Sequence, residues 1–304
     1  MAGTATRRYT VADILAGDRH RDEGDHVNRA GNVDRENARF AFGANWQRFL
    51  ALVDAERISL AEESLKEAFG VERLDGQSFL DAGSGSGLFS LAARRLGARV
   101  HSFDLDPQSV ACTAQLRSHF FSDDREWTVE HGSLLDREYL QKLGTFDYVY
   151  SWGVLHHTGA MWLALENVLC AVRPGGTLMI AVYNDQGWKS HFWWFIKLGY
   201  TRLPEPVKPV YAYSLGAAAN ALNILKYTIK LTPMVAIRPL LQRRKRRGMS
   251  VSHDLVDWIG GFPYEYAGYD VMTRYMTARG FQLIQGKRAR SAGLHEMVYR
   301  SSGR

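Results

Sequence analysis

The chain has 304 residues, 46% of them hydrophobic, which is enough for one large core or two modest ones without covalent staples. Two cysteines exclude a disulfide framework, and a formal net charge of +6 bears on solubility and anionic partners rather than on fold. No unbroken apolar stretch follows the N-terminal arginines, so the expected compartment is the reducing cytoplasm rather than an exported one.

In chain order, residues 1 to about 45 begin polar, and the stretch from ARFAFGANW to KEAFG reads as helical, with Gly70 as its stop. From Ser78 short apolar runs alternate with amphipathic ones. SFLDAG, RVHSFD, WTVEHG, FDYVYS and TLMIAVY have strand length, and GLFSLAARRLGA, PQSVACTAQLRSHF and AMWLALENVLCAV have helical spacing. Such alternation predicts parallel crossover units and hence a doubly wound α/β sheet. About eighty residues then interrupt the pattern before a helix, YDVMTRYMTARG, and two last strands, FQLIQGK and HEMVYRS. Only RARSAGL joins those two strands, so they must pair antiparallel, because a parallel pair needs a crossover. Cys112 and Cys170 fall in predicted helices and read as buried apolar residues.

The strongest motif is LDAGSGSG at 80–87, a strand running into a glycine turn and then a helix. Alternate glycines permit close backbone approach to a ligand, and the helix N-terminus offers unpaired N–H groups. About twenty residues beyond Gly83, at the end of the next strand, Asp104 can accept both hydroxyls of a ribose. Asp106 precedes Pro107 and suits a helix cap instead.

With FDLD at 103–106, EHGSLLD at 130–136, FDYVYSWGVLHH at 146–157 and RPGGTLMI at 173–180, the chain resembles the class I S-adenosylmethionine (SAM)-dependent methyltransferases. The likeness is greatest to the bacterial ubiquinone-biosynthesis type of O-methyltransferase, over roughly residues 76–184 and 266–304. The resemblance implies a Rossmann-like, mostly parallel seven-stranded sheet with an antiparallel terminal hairpin. It also implies SAM as cofactor, S-adenosylhomocysteine as product and a small-molecule acceptor. Carried over, Asp81 and Gly83 hold the amino and carboxylate groups, Asp104 the ribose, and Ser133 with Leu134 the adenine; Ser84, Gly85, Leu105 and Ser151 complete the cofactor set. Where the family often has Asp, this chain has Ser133. Trp46, in the expected cap, reads either as an aromatic shield for the sulfonium or as a core tryptophan.

In open α/β sheets the ligand lies beyond the carboxyl ends of the strands, which brings Trp152, His156 and His157 after the fourth strand toward the acceptor. Methyl transfer to oxygen requires loss of a proton, and imidazole suits that task; His156 is taken first, with His157 beside it. After the fifth strand Tyr183 and Asn184 are candidates for binding a hydroxylated acceptor, and Asp185 for sharing the base role. The other reading of that string is a turn in which Asn and Asp satisfy their own backbone. No HxH or HExxH spacing predicts a metal site.

The expected domains are a helical cap at 1–75, the cofactor-binding core at 76–185, a helical lid at 186–265 and the completing helix and hairpin at 266–304. The lid carries aromatics, a seventeen-residue apolar run and the basic string RRKRR at 243–247, which suggests an amphiphilic or anionic acceptor, or peripheral contact with an anionic membrane. A dehydrogenase would show GxGxxG, and a base or glutamine methylase an NPPY or DPPY turn where SWGVLHH stands, so no nucleic-acid substrate is expected. Non-methylating chemistry on SAM, such as its cyclisation with release of methylthioadenosine, and SAM binding without transfer are the remaining alternatives.

Overall fold

The computed structural model describes residues 53–229, 259–291 and 293–303. Its centre is a seven-stranded sheet in the order β3-β2-β1-β4-β5-β7-β6. The strands are β1 (Ser78–Ala82), β2 (Arg99–Asp104), β3 (Trp127–His131), β4 (Phe146–Trp152), β5 (Val172–Tyr183), β6 (Phe281–Lys287) and β7 (Leu294–Ser301). The first five pair in parallel, whereas β7 pairs antiparallel with both β5 and β6. This is the predicted doubly wound sheet with its antiparallel hairpin. From β1 the chain winds one way to β2 and β3 and the other way to β4 and β5, so the switch point of the topology lies between β1 and β4.

Both faces of the sheet are covered. Successive residues of a strand point to opposite faces, so Phe79 joins one core and its neighbour Leu80 the other. The first core is built with α1 (Ala55–Phe69) and α2 (Leu88–Arg95) around Leu65, Leu91 and Trp127. α5 (Met161–Leu169) and α8 (Tyr269–Thr277) supply the second, with Leu165, Met272 and Met276 against Leu178 and Ile180. Strands buried on both faces cannot alternate polar and apolar residues, which is why TLMIAVY reads as continuously apolar.

Local chemistry sets the ends of the helices. α1 stops at Gly70, whose φ of 65° lets its N–H reach the carbonyl of Lys66. α3 (Pro107–Phe120) starts with Asp106 as its cap, the side chain accepting from Gln108 N at 2.8 Å, as Pro107 at the first helical position implied. Two details differ from expectation. A short α4 (Arg137–Leu143), capped by Asp136, connects β3 to β4. β5 begins early at Val172, with the residues around the RPGG string looped out between the pairs Phe146–Val172 and Tyr148–Thr177. Of the proposed lid, residues 186–229 and 259–265 are described; they include two helices, α6 (Trp188–Arg202) and α7 (Lys208–Ile229), whose Ile196, Tyr200 and Ala212 cluster with Ile259. Trp46 and the basic string at 243–247 lie outside the described residues.

Candidate active site

The glycine turn leaves β1 at Ala82 and enters α2 at Leu88, beside the switch point. Gly83 takes φ 93°, and a Cβ there would come within 2.5 Å of Val154, on the segment after β4, so the two connections can meet only through a glycine. Ser84 Oγ lies 3.0 Å from Thr113 Oγ1 and ties the turn to α3.

Two carboxylates flank this turn. Asp81 is 2% exposed and accepts from Ser90 Oγ. Behind it runs a buried chain in which Trp127 Nε1 donates to Ser102 Oγ at 2.9 Å and Ser102 Oγ to Ser90 Oγ at 2.7 Å. Burial pushes the Asp81 carboxyl up to about 7 against the opposing hydrogen bond from Ser90. Asp104, at the end of β2, accepts from Gly85 N at 2.9 Å through Oδ2 and from Asp106 N at 2.9 Å through Oδ1. Burial also raises its pKa, partly offset by those backbone bonds. The same carboxylate therefore shapes the glycine turn and faces the cavity.

Both acids line a cavity of about 710 Å³ at the carboxyl ends of β1, β2 and β4. Gly83, Ser84, Gly85, Leu105, Ser133, Leu134, Trp152 and His157 are on its wall, so most of the predicted set is brought together. Phe89 stacks on Tyr150 at 4.8 Å along one side, and Phe262 closes another. No lysine or arginine is among the described residues that line it. A wall with the carboxylates of Asp81, Asp104 and Asp106 and no lysine or arginine among its described residues favours a ligand that carries positive charge and hydroxyls over one that carries phosphates.

The histidine pair separates. His157 is on the cavity wall, while His156, taken first on sequence, is 1% exposed and not among the lining residues. His157 Nδ1 donates to Pro263 O at 2.7 Å, which puts the ring's lone pair on Nε2. Burial pushes His157 down to about 3, partly opposed by that hydrogen bond, and pushes His156 well below its ordinary value. The segment before α8 fixes this turn, with Glu265 N donating to His156 O at 3.0 Å and the Glu265 carboxylate accepting from Met161 N at the start of α5.

Four further candidates lie off the wall. Ser151 is fully buried and donates to Ala82 O at 3.0 Å. Tyr183 packs its ring on His156 at 4.1 Å. Asn184 Nδ2 donates to Ser291 O, and Asp185 Oδ1 accepts from Gly187 N at 2.7 Å, the turn chemistry that was the other reading of this string. Phe89, Tyr150 and Phe262 were not singled out from sequence; for the first two the available signal was the helix after the glycine turn and the aromatic alternation in FDYVYS. Among the described residues no group of three or more His, Cys, Asp or Glu is placed to hold a metal ion.

The family described as a methyltransferase domain matches residues 53–214. A ubiquinone biosynthesis O-methyltransferase from Xanthomonas campestris pv. campestris is 34% identical over 111 residues, covering 36% of this chain and 45% of that protein. A tRNA U34 carboxymethyltransferase from Pseudoalteromonas translucida is also 34% identical, over 118 residues, covering 38% of this chain and 35% of that one. The chain thus spans less than half the length of these curated relatives. In three dimensions it is similar to the magnesium protoporphyrin IX methyltransferase of Synechocystis PCC 6803, solved with bound SAM, with a TM-score of 0.52 at 11% identity, covering 92% of this chain and all of that one.

Proposed function

Since the chain belongs to the methyltransferase-domain family, we propose that it binds SAM in this cavity and transfers the methyl group to a hydroxyl of a small-molecule acceptor. The observation that carries the reading is the pair of acids, buried Asp81 and half-buried Asp104, flanking one glycine turn in a cavity with no lysine or arginine among its described lining residues. An ammonium at Asp81 offsets the burial that otherwise raises that carboxyl, and ribose hydroxyls at Asp104 donate to the remaining lone pairs. Ser133 and Leu134 then flank the adenine, and the backbone of Gly83, Ser84 and Gly85 faces the methionine carboxylate. A dinucleotide would instead set its pyrophosphate against two carboxylates.

SAM supplies an electrophilic methyl group on a sulfonium. The protein's part is to hold the acceptor oxygen in line with it, to exclude water and to collect the proton. Transfer would exchange the S–CH₃ bond of SAM for an O–CH₃ bond, with S-adenosylhomocysteine as the leaving group, and would leave the acceptor oxygen positively charged and its proton strongly acidic. His157 Nε2, on the cavity wall with its tautomer set by Pro263, takes that proton. A base held near pKa 3 is weak but sufficient for so acidic a proton, and it stays neutral across physiological pH. The exposed apolar faces of α6 and α7 support the further reading that the acceptor is amphiphilic or met at a lipid surface.

The test is titration of the protein with SAM and with NAD, followed by turnover on acceptors with analysis of the nucleoside product. Saturable SAM binding and release of S-adenosylhomocysteine are expected, with His157→Ala lowering turnover by about 10²–10⁴ and leaving SAM affinity near the parent value. Binding of NAD but not SAM would overturn the cofactor reading, methylthioadenosine release the methyl transfer, and full turnover by His157→Ala the assignment of the base.

A further inference from the structure

Asn167 is a fully buried amide on α5, in a helix whose other buried residues are Met161, Ala164, Leu165 and Val168. Its Nδ2 donates to Leu134 O at 3.0 Å, 33 residues back along the chain. A carbonyl oxygen can only accept, so the nitrogen of the amide is the end that must face it. Among the described residues Oδ1 has no hydrogen-bond partner, so the fold uses this amide as a donor. An apolar side chain of the same size would be buried without leaving an acceptor unpaired.

Leu134 lies on the cavity wall between Ser133 and Leu135, which line it too. Hydrogen bonds occupy the acceptors of this turn in succession. Ser133 O accepts from Asp136 N at 3.1 Å, Leu134 O from Asn167, and Ser133 Oγ from Leu135 N at 3.2 Å. What the turn keeps for a ligand is donors: the N–H of Leu134, which donates to no described residue, and the proton of the Ser133 hydroxyl. Such an edge suits a base whose ring nitrogens accept, as N1 of adenine does. It mismatches a 6-oxo purine such as hypoxanthine, which carries a proton on N1.

We propose that Asn167 is a positioning residue for the base of the cofactor: by holding Leu134 O toward α5 it keeps this turn a donor edge, and so sets the preference of the site for adenine over a 6-oxo purine. The proposal rests on the reading that SAM occupies the cavity with its base at Ser133 and Leu134. Asn167 is not among the lining residues, so it acts through Leu134 and not on the ligand. Without the amide, Leu134 O has lost its partner, and the peptide between Leu134 and Leu135 can turn its carbonyl to the cavity, where water or a ligand N–H satisfies it. The edge then offers donor and acceptor together, and discrimination at the base is lost.

The experiment is calorimetric titration of the wild type, Asn167→Leu, Asn167→Ala and Leu165→Ala with S-adenosylhomocysteine and with S-inosylhomocysteine, which differ only in the base. In the wild type the adenine ligand is expected to bind about tenfold more tightly or better, since the other leaves a donor of the site unpaired. Both Asn167 variants are expected to bring the two affinities within about threefold of each other, chiefly by weakening S-adenosylhomocysteine. Leu165→Ala removes a buried apolar side chain from the same helix and is expected to keep the wild-type ratio. Both ligands are read on the same folded protein, so the ratio does not report lost stability, and two variants at 167 guard against one that fails to fold. A wild-type ratio near one, an unchanged ratio in the Asn167 variants, or the same collapse in Leu165→Ala overturns the proposal while the SAM reading stands. A wild type that binds neither ligand removes the SAM reading, and the role of Asn167 with it.

Discussion

Asp104 illustrates how one carboxylate shapes a turn and faces the cavity together. Its carboxylate accepts the N–H of Gly85 in the turn and that of Asp106 at the head of α3, and the same group opens on the cavity. Asp104→Ala removes hydrogen bonds to a charged acceptor worth about 1.5–3 kcal/mol each, so SAM affinity is expected to fall about ten- to a hundredfold. Titration calorimetry checks this, and an unchanged Kd in a folded variant contradicts the role. Asp104 was legible because its distance from the glycine turn is set by one strand–helix–strand unit of ordinary length. The choice between His156 and His157 was not. Neighbouring residues in a single turn of 3₁₀ helix point in different directions, and no periodicity announces which of them meets a cavity.

At the scale of elements, the caps read from sequence are in place because capping is local: Asp106 with Pro107 opens α3, and Gly70 closes α1. The added helices α6 and α7 follow a different logic. They bury a small set around Ile196, Tyr200 and Ala212, and leave Trp188, Phe192 and Phe195 of α6 and Leu222, Leu225 and Ile229 of α7 exposed. No helix among the described residues is long and apolar enough to cross a membrane; the exposed apolar side chains of α6 and α7 suit contact along a lipid surface. If that contact operates, the wild type floats with anionic vesicles, and replacing Phe192 and Phe195 by Ser weakens binding about tenfold or more, since each buried phenylalanine is worth about 1.5–3 kcal/mol. Equal flotation of both proteins would leave the α6 face without a lipid role.

For the whole molecule, the buried titratable groups set a distinctive dependence of stability on pH. His157 is pushed down to about 3 and His156 also downward, so between about pH 6.5 and 3 the unfolded chain holds protons that the folded one lacks, and stability is lost as pH falls through that range. Asp81, pushed up to about 7, works in the opposite sense: the folded protein holds its proton above the range where the unfolded carboxyl has lost it, so this term weakens the fold as pH rises from about 4 to 7. Asp104, also raised by burial, adds to the Asp81 contribution, but His295 is pushed down as well, so three depressed histidines stand against two raised aspartates and acid is expected to destabilise. Lys197, pulled down to about 7, is charged only in the unfolded chain between about pH 7 and 10.5, so its penalty shrinks as pH rises there, by at most about 1.4 kcal/mol per unit. Urea unfolding at pH 7, 8 and 9 should accordingly show the wild type gaining on Lys197→Met with rising pH. A constant difference between the two proteins would mean that Lys197 is not buried as an amine.

The sequence by itself determined the alternation of strands and helices, the antiparallel hairpin, the glycine turn and the acid that follows it. All of these depend on residues within about thirty positions of one another, where periodicity, turn chemistry and crossover length leave few options. Only the tertiary structure decided what faces the cavity. His157 is oriented by the carbonyl of Pro263, 106 residues away, and Lys197 is buried because Tyr183 and Tyr264, from two separate parts of the chain, close over it. Contacts of that range arise from how the segment between β5 and α8 returns to the sheet, and a helix that carries an isolated lysine among aromatics looks the same in sequence whether that lysine points to water or into the core.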